Sequence, residues 1–108
     1  MEPGPEILDE LVRRIVAVAD PLRILLFGSA ARGEMRLDSD LDVLVVVPDD
    51  IHRRHTTQAI YRRLIGFPLA VDVVVATEDD LRRYRDNFSL VYYPAIREGR
   101  EIYAAEHA

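Results

Sequence analysis

The chain of 108 residues contains no cysteine and no lysine, and all 14 of its basic residues are arginine. Without cysteine there is neither a disulfide framework nor a thiolate metal site. No apolar run approaches the roughly 20 residues that a membrane-spanning helix needs. The first ten residues, MEPGPEILDE, are acidic and do not look like a signal peptide. We therefore expect a cytoplasmic protein with no membrane partner.

The balance of charge is negative. The formal net charge is −5, and a basic surface is what favours non-specific binding to nucleic acid, so we do not expect a nucleic-acid partner. The length is that of one domain, and 49% of the residues are hydrophobic, enough for a core. Residues 1–108 are therefore expected to form a single domain.

The most informative segment is GSAARGEMRLDSDLDVLV, which begins at Gly28. Ser29 is followed, after ten residues, by Asp40 and Asp42, and Asp72 interrupts a second apolar run, LAVDVVVA. A buried unpaired carboxylate is costly, so such groups pair, bind a metal or lie exposed at a sheet end. Gly-Ser alone could be an ordinary turn, and Asp40 alone could be a turn residue. The combination favours a site for hard divalent cations.

The spacing of these residues has a physical logic. Side chains two residues apart on a strand share a face, so Asp40 and Asp42 should project together. Paired carboxylates can bridge two magnesium ions about 3.5–4 Å apart, as in two-metal phosphoryl-transfer sites. The run PLRILLF before Gly28 is typical of a strand. A strand, a Gly-Ser pair and a short helical turn leave backbone N–H groups for phosphate oxygens. Together these features predict a nucleoside-triphosphate site.

This pattern resembles the DNA polymerase β-like nucleotidyltransferases. The local form GSAARG and the small size are most similar to the minimal nucleotidyltransferases of HEPN–MNT toxin–antitoxin pairs, over nearly the whole chain. The resemblance implies an α/β (α+β) fold: a polymerase β-like palm with a small mixed β-sheet covered by helices.

The motif and the resemblance together assign roles to two groups of residues. Three residues are expected to be catalytic and to hold two Mg²⁺ ions: Asp40, Asp42 and Asp72. Four residues are expected to bind the nucleotide: Gly28, Ser29, Arg32 and Ser39. Arg32 is assigned because the ARG segment lies by the triphosphate in the resembling family, although it could also be a surface residue.

The resemblance also implies the reaction, in which AMP passes from ATP to a tyrosine hydroxyl of a partner HEPN toxin. Two alternatives stay open. One is nucleotide transfer to a small molecule such as an aminoglycoside, which normally needs a second domain. The other is an antitoxin that neutralises its toxin by binding alone. Added AMP on a co-expressed partner would favour the first reading, and inhibition without ATP and magnesium would favour the last.

Hydrophobic periodicity predicts the elements that carry these residues. Helices are expected near residues 7–16 and 50–65, after a capping box at 77–80, and from 89 to 99 with a kink at Pro94. Strands are expected at 22–27, 41–47, 69–76 and 101–103.

Overall fold

A computed structural model of the protein describes residues 4–31, 40–84 and 99–105. In these ranges the chain forms four helices and four strands. The helices are α1 (Pro5–Ala19), α2 (Gly28–Ala31), α3 (Arg53–Arg63) and α4 (Glu78–Tyr84). The strands are β1 (Arg23–Phe27), β2 (Leu41–Val47), β3 (Val71–Thr77) and β4 (Arg100–Ala104).

The four strands form one mixed sheet in the order β3-β2-β1-β4. Strand β1 pairs antiparallel with both β2 and β4. Strand β2 pairs in parallel with β3, which lies at the edge of the sheet. The mixed sheet expected from the sequence is confirmed.

Helices α1 and α3 pack on one face of the sheet, over its larger core. Because side chains alternate along a strand, this face receives the odd-numbered residues of β2, among them Val43 and Val45. Leu11, Ile15 and Ile60 complete the core from the two helices, and all three are fully buried. The apolar helical stripe predicted near residues 7–16 therefore faces the sheet as expected.

The opposite face carries a smaller cluster made of the even-numbered residues of β2 and β3. Leu44, Val46 and Ala76 are buried there, and Leu81 of α4 packs against them. Asp42 and Asp72 have the same parity as these residues. Both aspartates therefore point to the face opposite α1 and α3.

The element boundaries agree with the sequence to within a few residues. The beginning of α3 is three residues later than expected, since a turn in which the Ile51 N–H donates to the Pro48 carbonyl precedes it. His52 caps the helix by accepting from the His55 N–H. The helix expected from Ser89, with its kink at Pro94, lies outside the described residues.

The predicted capping box at the start of α4 is confirmed. The Thr77 N–H donates to the Asp80 carboxylate at 3.0 Å, and the Asp80 N–H donates to the Thr77 hydroxyl at 3.1 Å. Arg53 of α3 also donates to Asp80, at 2.9 Å, which links the two helices. In the described part of the chain, no helix is both long enough and apolar enough to span a membrane.

Candidate active site

Asp42 and Asp72 lie side by side on neighbouring strands. They are register partners in the parallel pairing of β2 with β3. Register partners of adjacent parallel strands point to the same face, and the strands are about 4.8 Å apart. Asp42 is half-buried and Asp72 is exposed. Two carboxylates separated by 30 positions in the chain are thus brought together by strand pairing.

Asp40 joins this end of the sheet from the position directly before β2. It is exposed, and continuing the strand alternation by one residue puts it on the same side as Asp42. The next residue, Leu41, donates its N–H to the Ala70 carbonyl at 2.9 Å. This bond ties the chain entering β2 to the chain entering β3. All three predicted catalytic residues therefore lie where β2 and β3 begin.

Gly28 lies directly against Asp42. A Cβ atom at Gly28 would overlap the Asp42 Oδ2 atom and would come within 3.3 Å of its Cγ. The backbone at Gly28 has φ +71°, in the left-handed region that suits glycine. Its neighbour Phe27 ends β1 as the register partner of Asp42. The predicted phosphate-binding turn and the carboxylates therefore belong to one site.

Of the other predicted nucleotide-binding residues, Ser29 lies in the described part of the chain. Ser29 follows Gly28 within α2, the short helical turn that was expected after β1. Arg32 and Ser39 lie outside the described residues. Their roles, like that of the Ser29 hydroxyl, stay predictions.

The fit of this site to magnesium can be judged from its donors. Asp42 and Asp72 supply hard carboxylate oxygens on one accessible face, which is the ligand chemistry that Mg²⁺ prefers. Within residues 4–31, 40–84 and 99–105, no set of three or more His, Cys, Asp or Glu side chains is gathered closely enough to hold a metal ion. Two of the predicted ligands are thus adjacent, and the complete metal site stays a prediction.

Tyr61 was not singled out by the sequence, yet it supports this site. The Val73 N–H donates to the Tyr61 hydroxyl at 2.9 Å. Val73 follows Asp72 on the edge strand, so this bond satisfies an amide that faces away from β2. It ties α3 to β3 beside a predicted catalytic carboxylate. Nothing in the sequence pattern indicates which strand amide a tyrosine will cap.

A large cleft of the described residues lies elsewhere. It has a volume of about 950 Å³ and is lined by residues at the start of α3 and in α4, beside Thr77. Thr77 ends β3, whereas Asp72 lies near its beginning. Two of the lining arginines are also engaged, because Arg53 pairs with Asp80 and Arg83 pairs with Asp79. The cleft therefore contains none of the predicted catalytic residues.

With this geometry established, comparison with known proteins defines the class. Residues 5–106 match the family model of the nucleotidyltransferase domain, and the chain belongs to that family. It is 30% identical over 81 residues to "Putative protein adenylyltransferase MJ0604" of Methanocaldococcus jannaschii, an alignment that covers 75% of this chain and 77% of that protein. The expectation of a nucleotidyltransferase enzyme is confirmed.

Solved structures show the same fold. A crystal structure of a toxin–antitoxin with AMP-PNP matches with a TM-score of 0.67 at 16% identity, over 92% of this chain and 74% of that one. A crystal structure of the toxin–antitoxin MntA–HepT matches with a TM-score of 0.62 at 14% identity, over 94% and 74%. The polymerase β-like palm expected from the sequence is confirmed.

Proposed function

We propose that this nucleotidyltransferase moves AMP from ATP to a tyrosine hydroxyl of a partner HEPN-type toxin, and so acts as its antitoxin. The observation that carries the proposal is the contact of Gly28 with Asp42, which is in turn the register partner of Asp72. Nucleotidyl transfer from a triphosphate needs a turn that can bind phosphate and, next to it, a pair of carboxylates that can bind metal.

The carboxylates would hold the metal and the turn would hold the phosphates. Asp40, Asp42 and Asp72 would bind two Mg²⁺ ions, which when bound neutralise triphosphate charge and lower the pKa of an attacking hydroxyl. Gly28 lets the backbone approach the phosphates closely, since it has no side chain. Ser29 donates a hydrogen bond to a phosphate oxygen, and Arg32 and Ser39 complete that pocket.

The reaction is an in-line displacement. The acceptor oxygen bonds to the α-phosphorus. The bond from the α-phosphorus to the oxygen that bridges it to the β-phosphorus breaks, and pyrophosphate leaves. Asp72, exposed at the edge strand, is reachable by an incoming acceptor and takes its proton. Asp42 is half-buried on β2, between β1 and β3, and would bind metal at the inner side of the site. Catalysis is then mainly positioning and charge neutralisation.

Two similarities support a protein acceptor. The M. jannaschii relative carries the name "Putative protein adenylyltransferase MJ0604", and the two matching structures described above are toxin–antitoxins, one of them with the ATP analogue AMP-PNP. Asp72, one of the predicted catalytic carboxylates, is exposed on the edge strand of the described sheet. An acceptor presented by another protein fits such a site.

The deciding experiment is mass spectrometry of a HEPN-type toxin co-expressed with this chain. We expect the toxin to gain the mass of one or more AMP units, located on tyrosine. Asp42→Asn should abolish the modification, and Asp50→Asn, the same substitution in the turn after β2, should not.

The same variants distinguish an antitoxin that modifies its toxin from one that neutralises it by binding alone. If Asp42→Asn binds the toxin but no longer protects cells, modification is the neutralising step. If it protects as well as the wild type, neutralisation is by binding alone. AMP on an added aminoglycoside, with none on the toxin, would instead support the small-molecule reading.

A further inference from the structure

Three large hydrophobic side chains of the described residues are exposed, and all three lie around the C-terminal half of α3. They are Val18, Tyr61 and Ile65, with exposed fractions of 43%, 42% and 79%. Tyr61 lies near the end of α3, and Ile65 lies in the turn that follows the helix. Val18 of α1 lines a shallow pocket of about 230 Å³ with residues of α3. Exposed apolar side chains bordered by charged residues are one feature of protein interaction sites.

The same surface carries uncompensated positive charge. Helix α3, RRHTTQAIYRR, has four arginines and no acidic residue, although the whole chain has a net charge of −5. Arg62 and Arg63 line the shallow pocket, and neither pairs with an acidic residue in the part of the chain that the structure describes. On α4, by contrast, Arg82 and Arg83 both have carboxylate partners. We call Val18, Tyr61, Arg62, Arg63 and Ile65 the α3 patch.

The α3 patch is held in place and adjoins the edge strand β3, on the sheet face opposite to the one to which Asp72 points. Arg14 of α1 donates to the carbonyl oxygens of Arg63 and Ile65, at 3.3 and 3.1 Å, and fixes the end of α3. At the other side, the Tyr61 hydroxyl accepts from the Val73 N–H, one residue from Asp72. A protein bound here would therefore border the strand that carries a predicted catalytic carboxylate.

We propose that the α3 patch docks the acceptor protein through a segment that presents carboxylates beside apolar side chains. The inference rests on the proposed function, because it assigns the surface by which the acceptor is held. Tyrosine and arginine are enriched in protein interfaces, and arginine binds carboxylates with two parallel hydrogen bonds. The apolar side chains give contact area, and the arginines select an acidic partner.

Two other occupants fit the patch less well. A nucleic-acid backbone would pair with Arg62 and Arg63 but would leave Ile65, the most exposed of the large apolar side chains described, without an apolar partner. A second copy bound symmetrically would place the same patch on both sides, so the arginines of one copy would face those of the other. A protein segment with both acidic and apolar side chains can pair with the arginines and also cover the apolar side chains of the α3 patch.

The test uses a fluorescein-labelled helical peptide with leucines along one face and glutamates beside them. Its anisotropy is measured with the full chain at about 150 mM salt, where the Debye length is about 8 Å. We expect binding that weakens at least tenfold in Arg62→Gln/Arg63→Gln and in Ile65→Ser. Arg54→Gln, an exposed arginine at the other end of α3, should change the affinity less than twofold. A peptide with lysine in place of glutamate should not bind.

Each contrary result overturns the proposal. If all variants bind the peptide with equal affinity, the α3 patch is not its binding surface. If the chain binds an oligouridylate more tightly than the peptide, the patch is a nucleic-acid surface. If sedimentation shows a dimer that Ile65→Ser dissociates, the patch is a self-association surface. Asp42→Asn should bind the peptide like the wild type. Loss of AMP transfer in the patch variants, with Mg²⁺–ATP affinity unchanged, links the patch to the acceptor. If no AMP transfer occurs in any variant while the peptide still binds, the proposed function fails and the docking surface stands.

Discussion

Replacing Gly28 by alanine tests the contact on which the active-site assignment depends. The alanine Cβ would fall on the Asp42 carboxylate, and the backbone would keep a positive φ. Gly66→Ala is a matched control, because Gly66 has φ +87° and a Cβ there would meet nothing within 4 Å. The two variants therefore share the backbone penalty and differ in the collision with Asp42.

The magnitudes follow from these two terms. A non-glycine residue in the left-handed region costs about 1–2 kcal/mol, and each kcal/mol lowers the Tm of a domain this size by about 4–8 °C. Both variants should lose that much stability. In Gly28→Ala the carboxylate or the turn must also move by about 1 Å, and such a displacement at a reacting centre can cost about 100-fold in rate.

The assay is AMP transfer to the toxin with radiolabelled ATP, at a temperature well below both melting transitions. We expect Gly66→Ala to transfer AMP at the wild-type rate and Gly28→Ala to be slower by about 100-fold. The larger Gly28→Val should also lose Mg²⁺–ATP binding in calorimetry, since a branched side chain fills the space next to the turn. A Gly28→Ala rate equal to that of Gly66→Ala would refute the reasoning.

Asp42→Asn and Asp72→Asn should each abolish AMP transfer in the same assay, and near-normal transfer by either variant would contradict the catalytic assignment. Asp72→Asn should leave the Tm unchanged or slightly raised, because it removes a like charge beside Asp42. Chelation by EDTA should stop transfer and added Mg²⁺ should restore it, so turnover that persists in EDTA would exclude the metal mechanism. Tyr61→Phe should speed hydrogen exchange of the Val73 amide and cost about 0.5–1.5 kcal/mol of stability, whereas Tyr103→Phe, on β4, should leave that amide unchanged.

Much of the fold was predictable because its signals are local. The β2 strand was predicted at its observed bounds, Leu41–Val47, since a long valine-rich run is ended by Pro48. The capping box at Thr77 and Asp80 depends only on residues three positions apart, and it formed as expected. The shared side of Asp40 and Asp42 follows from the two-residue period of a strand.

Other features depend on contacts between distant segments and left no local signal. The register that pairs Asp42 with Asp72 is decided by how two apolar strands align, and a shift of one residue would have put Asp72 on the other face. The hydrogen bond from Val73 to Tyr61 requires α3 to lie along the sheet edge. Exposure of Ile65 also depends on packing, because its sequence neighbourhood is equally consistent with a buried residue.

The arrangement of Gly28, Asp42 and Asp72 shows how the sheet brings predicted site residues together. Gly28 directly follows β1 and lies against Asp42 of β2, and Asp42 lies beside Asp72 of β3. Pairing of β1 with β2 and of β2 with β3 holds the strands that carry or precede these residues. Burial of Asp42 between β1 and β3 restricts its movement, while Asp72 on the edge strand stays accessible. Such a division suits a site in which the nucleotide is bound from one side and a protein hydroxyl approaches from the edge.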